Sequence, residues 1–222
     1  MFGGSITNSY NVFSRFEHVN KDSKFDFDPA PYEDEFYNDI FHALFSLDID
    51  AVGRFIVGLQ MGEQNYIEDF EFTDEHNDKI ETNQDGIVTL KSDIRYQRVC
   101  DVIQALPYVY GGANQTNRYV KMSPSLIVLC VTDTGSHLFN YIFDVTKDDE
   151  NSQEIVLNEE AFRQVMRDYG DDIKSKIYIG IEDGFLPEVK RQVESLAEEF
   201  DIVVGSVKSV IDELCEELKS LM

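Results

Sequence analysis

The chain has 222 residues and a formal net charge of -24, from 43 acidic against 19 basic side chains. At ~100 to 200 residues per domain that length suits one domain, or one and a half, and a hydrophobic fraction of 42% with 16 Phe and 11 Tyr exceeds what a disordered chain carries. So much negative charge repels polyanions and anionic lipid surfaces within the Debye length, which argues against direct nucleic-acid or membrane contact and favours a protein partner with a basic surface.

The longest uninterrupted apolar run, Leu126 to Val131, is far short of the ~20 residues that cross a bilayer. No basic-then-apolar segment of a secretory signal opens the chain. Cys100, Cys130 and Cys215 lack the paired spacing of a zinc site or disulfide framework, and read as small buried side chains in a reducing compartment. The expected location is cytoplasmic, or the virion if the chain belongs to a particle, and no cofactor is expected.

The acidity is uneven. Residues 1–85 carry 19 acids and 5 bases, residues 86–143 carry 3 and 5, residues 144–172 carry 10 and 3, and residues 173–222 carry 11 and 6. The middle third is therefore the near-neutral part of the fold. Residues 1–27, with aromatics Phe2, Tyr10, Phe13 and Phe16 at no clean period, read as an extended N-terminal arm. The rest, 28–222, reads as a single α+β domain with one candidate sub-boundary near 146–157. An arm with aromatic anchors suits docking on a neighbouring subunit, so a homo-oligomer is one expectation.

After Pro29 and Pro31, the spacing of Phe36, Ile40, Phe41 and Leu44 predicts an amphipathic helix over 32–47. Residues 52–59 read as a strand interrupted by Gly53 and Gly58. Glu63 to Asp85 holds nine acids and one base, Lys79, the pattern of a solvated acidic face. Its Glu68, Asp69, Glu71, Asp74, Glu75 and Asp78 are interaction candidates, with Asp148, Asp149 and Glu150 further on and the aromatics of the arm. Asp74, Glu75, His76 and Asp78 gather metal-capable groups, but no second histidine stands at a ligand spacing. Glu81 to Ser92 resembles an EF-hand calcium loop, with oxygen side chains at positions 1, 3 and 5, Gly86 at 6 and Val88 at 8. Ser92 stands where that loop needs a bidentate Glu, and an Asp-Gly turn leading into a strand over 87–90 accounts for the same residues.

Ile94, Val99, Val102, Ile103 and Leu106 mark a helix that Pro107 ends. The runs 125–131 and 137–145, separated by Thr132-Asp133-Thr134-Gly135-Ser136, predict a central β-hairpin. Asp133-Thr134-Gly135-Ser136 after an apolar run resembles the active-site loop of aspartic proteases, in which two such aspartates share a proton. That resemblance implies a second copy supplied by a dimer. Four residues carry it, Thr132 precedes the aspartate, no glycine-rich flap is visible, and the same residues are ordinary turn chemistry.

From Asn158 onward the pattern alternates: a capped helix to Tyr169, a strand over 176–181, a helix over 187–200, a strand over 202–204 and a helix over 207–221. Val189, Val193, Leu196 and Phe200 form one apolar stripe, and Val207, Val210, Ile211, Leu214, Leu218 and Leu221 another. This predicts a parallel strand pair in a mixed sheet. The fold class is thus α+β: arm and helix, central hairpin, and a C-terminal α/β segment. Its strand ends fall at Glu182-Asp183-Gly184 and Gly205-Ser206, where such sheets bind ligands. Turn and capping needs explain the same residues, and neither a Walker loop nor a dinucleotide fingerprint occurs.

No catalytic constellation stands out. The leading expectation is a non-catalytic acidic interaction protein, a structural subunit of a larger, viral or phage assembly. The alternative is an acidic inhibitor that mimics nucleic acid toward a basic nucleic-acid-binding protein, the carboxylates of Glu63 to Asp85 and Asp144 to Asp172 standing in for phosphates. A third is a small α/β metal-dependent enzyme using Asp133, Glu182 or Asp183 at strand ends.

Overall fold

The computed structural model describes residues 2–4, 11–18, 27–34, 39–57, 66–67, 78–84, 87–109, 123–147 and 153–222. In chain order these hold β1 (Phe2–Gly4), β2 (Asn11–His18), β3 (Phe27–Asp34), β4 (Asp39–Phe41), β5 (Arg54–Val57), β6 (Tyr66–Ile67), β7 (Ile80–Gln84), β8 (Ile87–Leu90), α1 (Ser92–Ala105), β9 (Leu126–Leu129), β10 (Phe143–Lys147), β11 (Gln153–Leu157), α2 (Glu159–Tyr169), β12 (Ile177–Ile181), α3 (Pro187–Leu196), β13 (Ile202–Gly205) and α4 (Val207–Leu221). The protein is of the α+β class.

The C-terminal body is organised by a three-stranded mixed sheet in the order β13-β12-β9. β12 runs parallel to β13, with Ile177 opposite Ile202, and antiparallel to β9, with Ile181 opposite Leu126. All five residues of β12 are buried, as a strand covered on both faces requires. Because side chains alternate along a strand, Ile177, Ile179 and Ile181 enter one core, with Phe162 of α2, Val189, Val193 and Leu196 of α3, and Ile155 and Leu157 of β11. Tyr178 enters the other, with Val99, Cys100 and Ile103 of α1 and the stripe Val207, Val210, Ile211, Leu214, Cys215 and Leu218 of α4. Burying each such Val, Leu or Ile contributes roughly 1.5–3 kcal/mol relative to leaving it exposed.

The helix ends follow their local chemistry. Asn158 caps α2, its side chain accepting from the Ala161 N–H at 3.0 Å, with Glu159 and Glu160 in the first turn and Arg167 in the last, the arrangement the helix dipole favours. Arg163 of α2 pairs with Glu159 at 2.9 Å and reaches Glu199, just beyond α3, at 3.0 Å. Arg95 of α1 donates to the backbone carbonyls of Val52, Ile49 and Asp50 at 2.8, 3.2 and 3.2 Å, holding the segment before β5 against the second core, where Leu47, Ile49 and Val52 pack.

Two expected elements are replaced. The helix over 32–47 is absent: residues through Asp34 belong to β3, which pairs with β2, and Asp39–Phe41 form β4, paired with β1 so that Phe41 lies opposite Phe2. A helix of that length needs its apolar stripe buried to persist. Leu44 and Phe45 are instead 52% and 44% exposed, so long-range strand pairing overrides the local period. The central hairpin is also absent. Leu126–Leu129 pairs with β12, because Leu126 and Ile127, neighbours on opposite faces, are both buried and the strand must be covered on both sides. The second run is strand only from Phe143 onward, where it enters β10, and β10 pairs with β11, Phe143 opposite Leu157.

The Glu81 to Ser92 stretch is a β-ladder and the start of a helix rather than a calcium loop. β7 and β8 pair antiparallel with Gln84 opposite Ile87, so two residues join them, and Ser92 opens α1. The Asp-Gly pair there is the composition of a two-residue hairpin connection.

α4 lies so close to β12 that a side chain on Gly180 has no room. A Cβ there would stand 2.7 Å from the Val207 Cα and 2.8 and 2.9 Å from the Val210 and Ile127 Cγ2 atoms. Gly180→Ala is expected to destabilise by about 1–3 kcal/mol, the range for overpacking a core. Gly135→Ala, with nothing within 4 Å of the added Cβ, should stay within about 0.5 kcal/mol. Urea unfolding of both variants checks the contrast, and equal stability would mean that the sheet and α4 are not packed this closely.

Candidate functional site

The acidic residues of α4 lie outside its buried stripe. With the apolar positions at 207, 210, 211, 214, 215 and 218 turned inward, exposed Asp212, Glu213 and Glu216 share the outer side and half-buried Glu217 borders it on the side of the sheet. Together with Tyr96 and Gln104 of α1, Lys176, Tyr178, Val203 and Cys215 they line an open groove of about 600 Å³. A second groove of about 700 Å³ adjoins it, lined by residues of the first two turns of α1 with Lys219 and Met222. Tyr96 belongs to both, and the Lys219 Nζ sits 5.7 Å from its ring centroid while pairing with Glu216 at 2.9 Å.

Helix stability does not account for this stripe. Asp212 with Glu216 and Glu213 with Glu217 are like charges at i,i+4, each pair destabilising by about 0.2–0.5 kcal/mol. Glu216 and Glu217 also stand toward the negative end of the helix dipole. Part of the charge is held by neighbours: Gln104 donates to the Asp212 Oδ1 at 3.3 Å. The Tyr178 hydroxyl donates to the Glu217 Oε2 at 2.8 Å, and the Lys176 N–H donates to the same oxygen at 3.2 Å. Burial, then the bond to Glu217 and the nearby Glu213 and Asp201, push the Tyr178 hydroxyl well above the usual phenol range. The arrangement presents fixed carboxylates beside an aromatic and aliphatic wall, which suits the ammonium or guanidinium of a basic side chain with its stem laid along Tyr96 and Val203.

The residues singled out from sequence are dispersed. Phe2 lies on β1, and Phe13 and Phe16 on β2, opposite Tyr32 and Pro29 of β3. Asp78 is exposed beside β7. Tyr10, Glu68, Asp69, Glu71, Asp74, Glu75, Asp148, Asp149 and Glu150 lie outside the described residues. Asp133 is exposed and paired with Lys174 at 2.9 Å, in a turn closed by Thr132 Oγ1 donating to the Thr134 carbonyl at 2.8 Å. The Asp133-Thr134-Gly135-Ser136 stretch thus does the work of a turn.

Glu182 and Asp183 follow β12 at its other end. Its five residues span about 16 Å at ~3.3 Å per residue, so Asp133 does not share a site with them. Asp183 pairs with Lys190 at 3.1 Å, and Ser206 caps α4 by accepting from the Ser209 N–H at 3.2 Å. Among the described residues no group of three or more His, Cys, Asp or Glu side chains is placed to hold a metal ion, and no helix is long and apolar enough to cross a membrane.

No family model, curated protein or solved structure matches the chain.

The raised hydroxyl of Tyr178 gives an alkaline prediction. Its proton is held more tightly in the folded chain than in the unfolded one, so its contribution is complete below the unfolded value near 10 and is lost as the pH rises past it. Wild-type stability should therefore fall on the alkaline side, and Tyr178→Phe should fall less steeply there. pH-dependent urea midpoints check this; parallel alkaline limbs would contradict it.

Proposed function

We propose that the protein is a non-catalytic acidic interaction protein, a structural subunit of a larger assembly, and that the outer face of α4 with the groove beside it receives a basic segment of the partner. The observation that carries this reading is the stripe Asp212, Glu213, Glu216 and Glu217, placed at like-charge spacing on a helix that is otherwise anchored by a fully apolar face. Lys219 covers Tyr96 between the two grooves. It is the element that a competing lysine or arginine would displace.

The same stripe supports the alternative of an inhibitor that mimics nucleic acid, since its carboxylates are mounted on a helix seated directly on the sheet and stand in fixed positions, as phosphates do. The two readings differ in assembly. A subunit should form a defined oligomer in light scattering that is lost when residues 1–27 are removed. An inhibitor should remain monomeric with or without them.

A fluorescently labelled lysine-rich peptide tests the contact itself. Binding should weaken steeply between low and physiological ionic strength. Asp212→Asn/Glu213→Gln/Glu216→Gln/Glu217→Gln should lose roughly tenfold in affinity, the sum of several exposed pairs. Unchanged affinity in that variant, or binding indifferent to salt, would sink the assignment of the face.

A further inference from the structure

β13 stands at the edge of its sheet, with β12 on one side and, among the described residues, no strand on the other. A strand in a parallel ladder turns the backbone groups of every second residue toward a given neighbour, and two bonds fix the phase here. The Ile177 N–H of β12 donates to the Asp201 carbonyl at 3.1 Å, and the Ile202 N–H turns back onto the Phe200 carbonyl at 2.8 Å. Val203 and Gly205 therefore aim their N–H and C=O groups at β12, while Val204 aims both of its own outward, with the Ile202 carbonyl beside them. Such a row of backbone groups is a template for another extended chain. The two faces at this edge differ. Val203 packs on the α4 side, in the second core, and lines the groove with Glu213 and Glu217, whereas Val204 packs toward the first core.

We infer, resting on the acidic face of α4 as the contact surface, that the basic segment of the partner is an extended one that joins the sheet as a strand beside β13, with Lys or Arg alternating with apolar residues. The alternation of side chains along a strand sorts the two kinds. Side chains next to Val203 stand on the α4 face, where basic groups reach Glu213 and Glu217. Those next to Val204 stand on the opposite face and extend the first core. The four residues of β13 offer about 13 Å of edge at ~3.3 Å per residue, so a short stretch of the partner suffices.

Charge decides between a basic segment and a second copy of this chain as the occupant. Pairing β13 with the β13 of another copy brings two sets of Asp201, Glu213 and Glu217 to one seam, all on chains of net charge -24. Like charges brought together across a strand pair are destabilising. A basic strand meets the same carboxylates with opposite sign, and its backbone bonds are made where side-chain pairs alone would be weak.

The test titrates into the full chain, at low ionic strength, a labelled peptide of four Lys-Val repeats and two versions of it, N-methylated at every valine or at every lysine. All three carry the same charge. In a strand the lysine N–H groups point to one edge and the valine N–H groups to the other. One methylated peptide should therefore bind like the parent and the other about tenfold more weakly, the loss expected from one or two backbone bonds. Val204→Pro, which removes the outward N–H and no bond to β12, should weaken the parent peptide by a similar factor. Should that variant fold poorly, the methylated pair decides alone. Equal affinity of the two methylated peptides, whether both bind or neither does, overturns strand addition; if both bind like the parent, the acidic face stands as a contact surface without it. No binding by the parent peptide removes the face and the added strand together.

Discussion

The fold rests on β12, a strand whose five residues are all buried and whose alternation assigns Ile177, Ile179 and Ile181 to one core and Tyr178 to the other. Gly180 completes this division by leaving out a side chain where α4 begins, so that helix and sheet approach until a Cβ would lie 2.7 Å from the Val207 backbone. That approach presses the apolar stripe of α4 into the second core and turns its carboxylates outward. The acidic face and the groove beside it are both consequences of how α4 is seated.

Where local and tertiary demands agree, the sequence is readable. Asn158 as a cap, Pro187 at the start of α3, and the stripes on α3 and α4 each require what the sheet also requires, and β12, β13 and their parallel pairing follow. Leu126–Leu129 was legible as a strand but not in its pairing. An apolar run fits a hairpin and a doubly covered strand equally, and the choice lies with Ile177–Ile181, far along the chain. The stripe of Phe36, Ile40, Phe41 and Leu44 misleads for the same reason: β4 takes its backbone partners from β1, and nothing local announces them.

The site was less legible than the fold. Runs of acids such as Asp74, Glu75 and Asp78 draw attention because they are dense, whereas Asp212, Glu213, Glu216 and Glu217 are interleaved with the very residues that identify a buried helix. The signal was present as the complement of the apolar stripe: a four-residue acidic set outside it.

The central claim is that the outer face of α4 is a contact surface, and amide hydrogen exchange of the full chain, with and without a lysine-rich peptide, addresses it most directly. The account predicts added protection in Val207–Leu221 and Ser92–Ala105, fading as salt is raised. Protection found only elsewhere in the chain, or none in these two helices at saturating peptide, would contradict it.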